Sequence, residues 1–73
     1  MTIQEAILKS LDDINELANS VKIHEHIVQH KYYDFGNAPT PLNTISSRLG
    51  DFIRNGDTRV KRIKQEGGTY AYY

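Results

Sequence analysis

The sequence predicts a mainly α fold with a β-hairpin: a winged helix-turn-helix of three helices plus a C-terminal wing. Three observations carry that expectation. Apolar residues recur at helical spacing in three separate segments. Two short β-like runs near the C-terminus are joined by the turn "QEGG". The basic residues, finally, crowd into the second half of the chain, four of them within "RVKRIK".

The first helix opens on Thr2 and Glu5, which form a capping box. Ile3, Ala6, Ile7, Leu11, Ile14 and Leu17 then fall on one side at about 100° per residue. The spacing carries the helix to "ANS", Ala18 to Ser20. Val21 to Ile23 reads as a short β-like step, and a second helix runs from about His24 to Lys31 with Ile23 and Ile27 inward. "YYDFGNAP", Tyr32 to Pro39, is a connection rich in turn residues and aromatics. The third helix runs from Pro41 to about Asn55. Thr40 offers a hydroxyl cap, and Pro41 sits where a missing N–H costs nothing. Leu42, Ile45, Leu49, Phe52 and Ile53 form its core stripe, and "NGD" stops it because Gly56 readily turns left-handed. Arg59–Lys64 and Thr69–Tyr73 read as the strands of the wing. Val60 and Ile63 have opposite parity, which calls for a bulge or two-sided burial.

Seventy-three residues, 38% of them hydrophobic and 25% charged, make one small globular domain over residues 1–73. Its end on a strand reads as the N-terminal module of a longer protein. No apolar run approaches the roughly 18 residues of a membrane span, and the N-terminus lacks the pattern of a secretory signal. Cytoplasmic residence is the expectation, on the nucleoid if the source is bacterial. There is no cysteine, which removes thiol nucleophiles and Cys-based zinc sites. No phosphate-binding Gly loop and no Ser-His-Asp spacing is present, so no enzyme activity and no cofactor are expected of the domain itself.

The net charge of zero hides an asymmetry: residues 1–34 carry −3 and residues 35–73 carry +3. A basic half on a neutral chain points to a face meant for a polyanion. Two groups of candidate DNA-binding residues follow. Around the third helix, Thr40, Asn43, Thr44, Ser47, Arg48 and Arg54 carry the amides, hydroxyls and guanidiniums that read base edges or hold phosphates. Asn, Thr and Ser are mediocre helix formers, so their use on this face asks for a reason other than helix stability; the alternative is that they are only first-turn residues. On the wing, Arg59, Lys61, Arg62 and Lys64 suit phosphates or a minor groove, or else merely solubilise an edge strand.

"HEHIVQH" places His26 and His30 at i,i+4, a spacing that can bind a metal. Val28 stands where the second His of HExxH belongs, so partial burial beside Ile23 and Ile27 is the preferred account and no metal is expected. Tyr32, Tyr33, Tyr70, Tyr72, Tyr73 and Phe35 are expected to pack rather than to stack on bases.

"TIQEAILKSL" at the start, "TPLNTISSRL" as a T-P-x-x-T-[IV]-x-x-x-L signature, "GDTRV" and the terminal "GGTYAY" resemble the HARE helix-turn-helix domains. The matches span nearly the whole chain, with the third helix the most specific and "VKIHEHIVQH" outside the pattern. The family is a winged-helix module attached to restriction enzymes, chromatin regulators and the delta subunit of bacterial RNA polymerase. The resemblance implies a DNA-associated module, often N-terminal to an effector such as a nuclease. The combined expectation is a module for double-stranded DNA, with the third helix in the major groove and the wing on the backbone or minor groove, serving a restriction-type effector. The alternative is a protein–protein module of the transcription machinery, its basic wing meeting an acidic protein surface.

Overall fold

The computed structural model describes residues 1–36 and 39–73; Asn37 and Ala38 of the predicted connection lie outside the described residues. The first helix, α1, spans Ile3–Ile14. Its capping box forms as the sequence predicts: Thr2 N donates to Glu5 Oε1 at 2.9 Å, and Glu5 N donates to Thr2 Oγ1 at 3.2 Å. Ile3, Ala6, Ile7, Ser10 and Leu11 face inward.

The helix stops three residues short of Leu17. Asn15 takes a left-handed conformation, φ +54°, and its N–H closes on the Leu11 carbonyl. What wins here is a distant pairing: Ala18 N donates to Tyr72 O at 3.0 Å and Tyr72 N to Ala18 O at 2.8 Å. Carrying α1 on to Leu17 would forfeit both bonds. Leu17 is left exposed, contrary to its place in the apolar stripe.

The expected extended step at Val21–Ile23 is helical instead. Asn19 Oδ1 accepts from Lys22 N at 2.9 Å, a side-chain cap that starts α2 at Ser20 rather than His24. α2 spans Ser20–His30, and the β-like contact sits earlier, at Ala18. Ile23 and Ile27 are fully buried.

α3 spans Pro41–Arg54. Its first turn has Pro41 as predicted, but the Thr40 hydroxyl makes no capping bond. With ψ at 66°, the Thr40 backbone departs from the extended geometry that aims a cap side chain at the first-turn N–H groups. Its carbonyl instead receives Thr44 N at 3.2 Å. Ile45, Leu49 and Phe52 enter the core, Ile53 packs partly against it, and Leu42 is exposed. Gly56, at φ +68°, ends the helix as expected, with its N–H on the Ile53 carbonyl.

The hairpin is shorter than predicted, with β1 at Arg62–Lys64 and β2 at Tyr70–Tyr72, antiparallel. Arg62 faces Tyr72, Ile63 faces Ala71 and Lys64 faces Tyr70. Lys61 and Tyr73 extend the ladder by exchanging bonds of 2.9 and 3.0 Å. The ladder is continuous over these residues, so the parity conflict is met by two faces. Val60 is buried with Tyr72 on one face, while Ile63, on the other face with the buried Ala71, stays exposed.

The result is a small, mainly helical domain with three helices and a two-stranded antiparallel hairpin, consistent with a winged-helix-like layout. Side chains from α1, α2 and α3, with Ala18, Val60 and Tyr72, share one core. No helix among the described residues is long and apolar enough to cross a membrane.

Candidate nucleic-acid interface

Burial of Ile45, Leu49 and Phe52 fixes the rotation of α3 and turns its opposite side to solvent. Asn43, Ser46, Ser47, Arg48 and Arg54 are exposed and Thr44 is half-buried. Asn43, Thr44, Ser47 and Arg48 together line a shallow depression of about 290 Å³. Only Thr44 spends its hydroxyl within the chain, donating to the Thr40 carbonyl at 3.4 Å. Among the described residues the Asn43 amide and the Ser47 hydroxyl have no partner in the fold, so both remain available to an outside acceptor or donor.

The cations separate into two sets. Asp51 lies between two arginines on α3: Arg48 Nη1 is 3.4 Å from one carboxylate oxygen, and Arg54 pairs with the other. Arg59 is held more firmly. Its Nε and Nη2 donate to Asp57 at 3.0 and 2.7 Å, and its backbone N–H adds a third bond at 3.0 Å. These bonds pull the Asp57 carboxyl down to about 2, the Arg59 side chain contributing most, and push the Arg59 guanidinium up.

Lys61, Arg62 and Lys64 form no ion pair among the described residues. Arg62 lies over the Tyr70 ring, 4.2 Å from its centroid, which steadies the guanidinium on an exposed strand without cancelling its charge. The register divides this trio. Arg62 and Lys64 occupy the hairpin face that continues from Val60 and Tyr72, whereas Lys61 shares the other face with Ile63 and Tyr73.

Gly50 and the two aspartates belong to this surface and are absent from the predicted set. Gly50 follows Asn43 and Ser47 along one line of α3, and a methyl group there would meet Arg54 Nη1 at 3.1 Å. The gap left by the missing side chain is where the Arg54 head group rests. The signal was in the spacing: Asp51 stands three residues from both Arg48 and Arg54, and Asp57 two from Arg59.

The histidines belong to a different place. Asp13 Oδ2 accepts from Tyr32 OH at 2.5 Å and lies 3.1 Å from His26 Nε2, while Lys9 Nζ is 3.5 Å from Oδ1. Chiefly through the Tyr32 bond, the Asp13 carboxyl falls to about 2, and the Tyr32 hydroxyl is pushed up in return. The His26 and His30 rings stack at 4.1 Å. His26 is half-buried and His30 exposed. No group of three or more His, Asp or Glu side chains among the described residues is arranged to hold a metal. The cluster joins the end of α1 to the end of α2.

Of the aromatics, Tyr32, Tyr33 and Phe35 pack partly against the core and Tyr72 lies within it, while Tyr70 and Tyr73 are exposed. Comparison with family models, curated proteins and solved structures found no match for this chain.

Proposed function

We propose that this protein binds double-stranded DNA as a winged helix-turn-helix module, without catalytic activity of its own. α3 enters the major groove, and the hairpin is the wing. The observation that carries this reading is the outer face of α3. Among the described residues Asn43 and Ser47 are exposed and without a partner beside Arg48, and neither is a strong helix former. Asn is suited to a bidentate contact with adenine, Arg to guanine, and Ser and Thr to either a base or a phosphate.

The second support is the wing. Among the described residues Arg62 and Lys64 keep unpaired charge on one hairpin face, which suits phosphate contacts. Arg48 and Arg54 reach DNA only by exchanging Asp51 for phosphate, and Arg59 only by giving up Asp57. The working set is therefore Asn43, Thr44, Ser47, Arg62 and Lys64, with the Asp51-paired Arg48 and Arg54 secondary and Thr40, Arg59 and Lys61 outside it. The resemblance of "TPLNTISSRL" to HARE helix-turn-helix domains points the same way and suggests service to an attached effector.

The test is duplex binding by fluorescence anisotropy across a salt series. Phosphate contacts make log K fall linearly with log salt, by about 0.9 per contact. A clear negative slope is expected, together with preference for some duplexes over others at fixed salt. Absence of duplex binding at low salt would overturn the reading.

A further inference from the structure

The face of the hairpin opposite Arg62 and Lys64 borders an open groove of about 780 Å³, formed with the end of α1 and the turn that follows it. Its apolar lining comes from Leu8, Leu11, Leu17, Ile63 and Tyr73. Leu17 is 40% exposed, Ile63 42% and Tyr73 49%, so three of the eight exposed large hydrophobic residues of the described chain gather in one place. That concentration is unlike the scattered exposure normal for a monomer surface.

The walls of the groove differ in charge. Asp12 and Glu16 stand on the α1 side. Arg59 stands on the hairpin side, and the register adds Lys61, on the same strand face as Ile63 and Tyr73. Internal partners remove half of these charges: Glu16 takes Lys22, and Arg59 takes Asp57. Left over, among the described residues, are an unpaired Asp12 on one wall and an unpaired Lys61 on the other.

We infer that the groove is closed by a second copy of this chain. A two-fold axis running along the groove sets the acidic wall of each copy over the basic wall of the other, with Leu17, Ile63 and Tyr73 packed between them. Such an interface is self-complementary: Asp12 meets Lys61 of the partner subunit and Lys61 meets Asp12 of the partner subunit. A ligand bearing one sign of charge would be repelled at one wall. Arg62 and Lys64, on the opposite hairpin face, stay uncovered in this dimer. The inference does not depend on DNA binding, although a two-fold dimer would ask for a two-fold repeated site.

Sedimentation equilibrium of the DNA-free protein over a concentration series tests it. The parent should move from the mass of one chain to that of two as concentration rises. Leu17→Glu should raise the dissociation constant by about tenfold or more, since an apolar side chain at the seam is replaced by a charge. Leu17 lies outside the core, and an unchanged helical circular dichroism signal would show that folding is intact. Asp12→Lys and Lys61→Glu should each weaken the dimer, and the two together should restore it, a rescue that mere surface effects would not produce. A parent that stays monomeric throughout would overturn the inference. So would single variants that dimerise like the parent, or a charge swap that restores nothing.

Discussion

From Arg48 to Arg59, three arginines each have an aspartate within reach; from Lys61 to Lys64, three cations have none among the described residues. The two stretches adjoin and read alike as basic sequence, yet they present different electrostatics. Exposed pairs such as Arg48–Asp51 and Arg54–Asp51 add little to stability, but they cancel much of the field that a polyanion would feel. In the proposed complex the hairpin, whose cations have no carboxylate partner among the described residues, would supply attraction, and the helix face would supply shape and hydrogen-bonding groups. Counting basic residues overstates the reach of the first stretch and hides the division of labour between the two.

Specificity should be the most fragile part of this arrangement, because it belongs to neither set of cations. Asn43→Ala and Ser47→Ala should each weaken binding to a preferred duplex by about 1–3 kcal/mol where a bidentate base contact is lost. Binding to a random duplex should hardly change, since it rests on phosphates. Each change should also raise helix stability by a few tenths of a kcal/mol. Anisotropy with both duplexes beside thermal unfolding checks this, and unaltered affinity for every duplex would remove α3 from the interface.

Breaking the distinction itself needs a different change. Asp51→Asn frees Arg48 and Arg54 together and should tighten binding to all duplexes, steepening the salt slope by about one to two phosphate contacts. If affinity and slope stay at the parent values, those arginines face away from DNA whether paired or not.

Gly50→Ala probes the same face at smaller scale. Alanine should stabilise α3 by up to about 1 kcal/mol, offset where the methyl group displaces the flexible end of Arg54. A raised melting temperature is the expected outcome, and a lowered one would mean that Arg54 cannot yield.

The smallest effect expected is in the acid limb of stability. Asp13 and Asp57 have an ordinary pKa of 3.8 and fall to about 2 in the fold. Depressed carboxyls contribute stability above the unfolded value, and that contribution is lost as pH falls from about 4 to about 2. Asp57 bonds a residue only two positions away, a contact the unfolded chain can also make. Asp13 joins α1 to Tyr32 and His26, a contact that unfolding removes. Melting temperatures across this range should therefore flatten more in Asp13→Asn than in Asp57→Asn. Equal slopes in both variants would mean that locality does not matter.

What the sequence made legible was whatever neighbours decide. Both partners of the Thr2–Glu5 capping box lie within four residues, and the apolar stripe of α3 fixes its own outer face, so Asn43 and Ser47 could be placed on it. The end of α1 could not be read that way. Leu17 continues the helical period, and the left-handed Asn15 cap prevails over it together with the pairing of Ala18 with Tyr72, from the far end of the chain. Thr40 has the right side chain for a cap but a backbone that misdirects it. Lys61 and Arg62 are adjacent in sequence, and their opposite faces follow only once the strand register is known. Asp51 was legible by spacing, and its effect on two arginines at once depends on side-chain geometry.

In the proposed complex the hairpin cations, and not the paired arginine of the preceding turn, carry the electrostatic part of DNA binding. Salt series on Arg62→Ala/Lys64→Ala and on Arg59→Ala, measured against one duplex, test it most directly. The double variant should lose about two phosphate contacts from the slope of log K against log salt, while Arg59→Ala should keep the parent slope. A double variant with the parent slope, or an Arg59→Ala variant that loses as much, would contradict it.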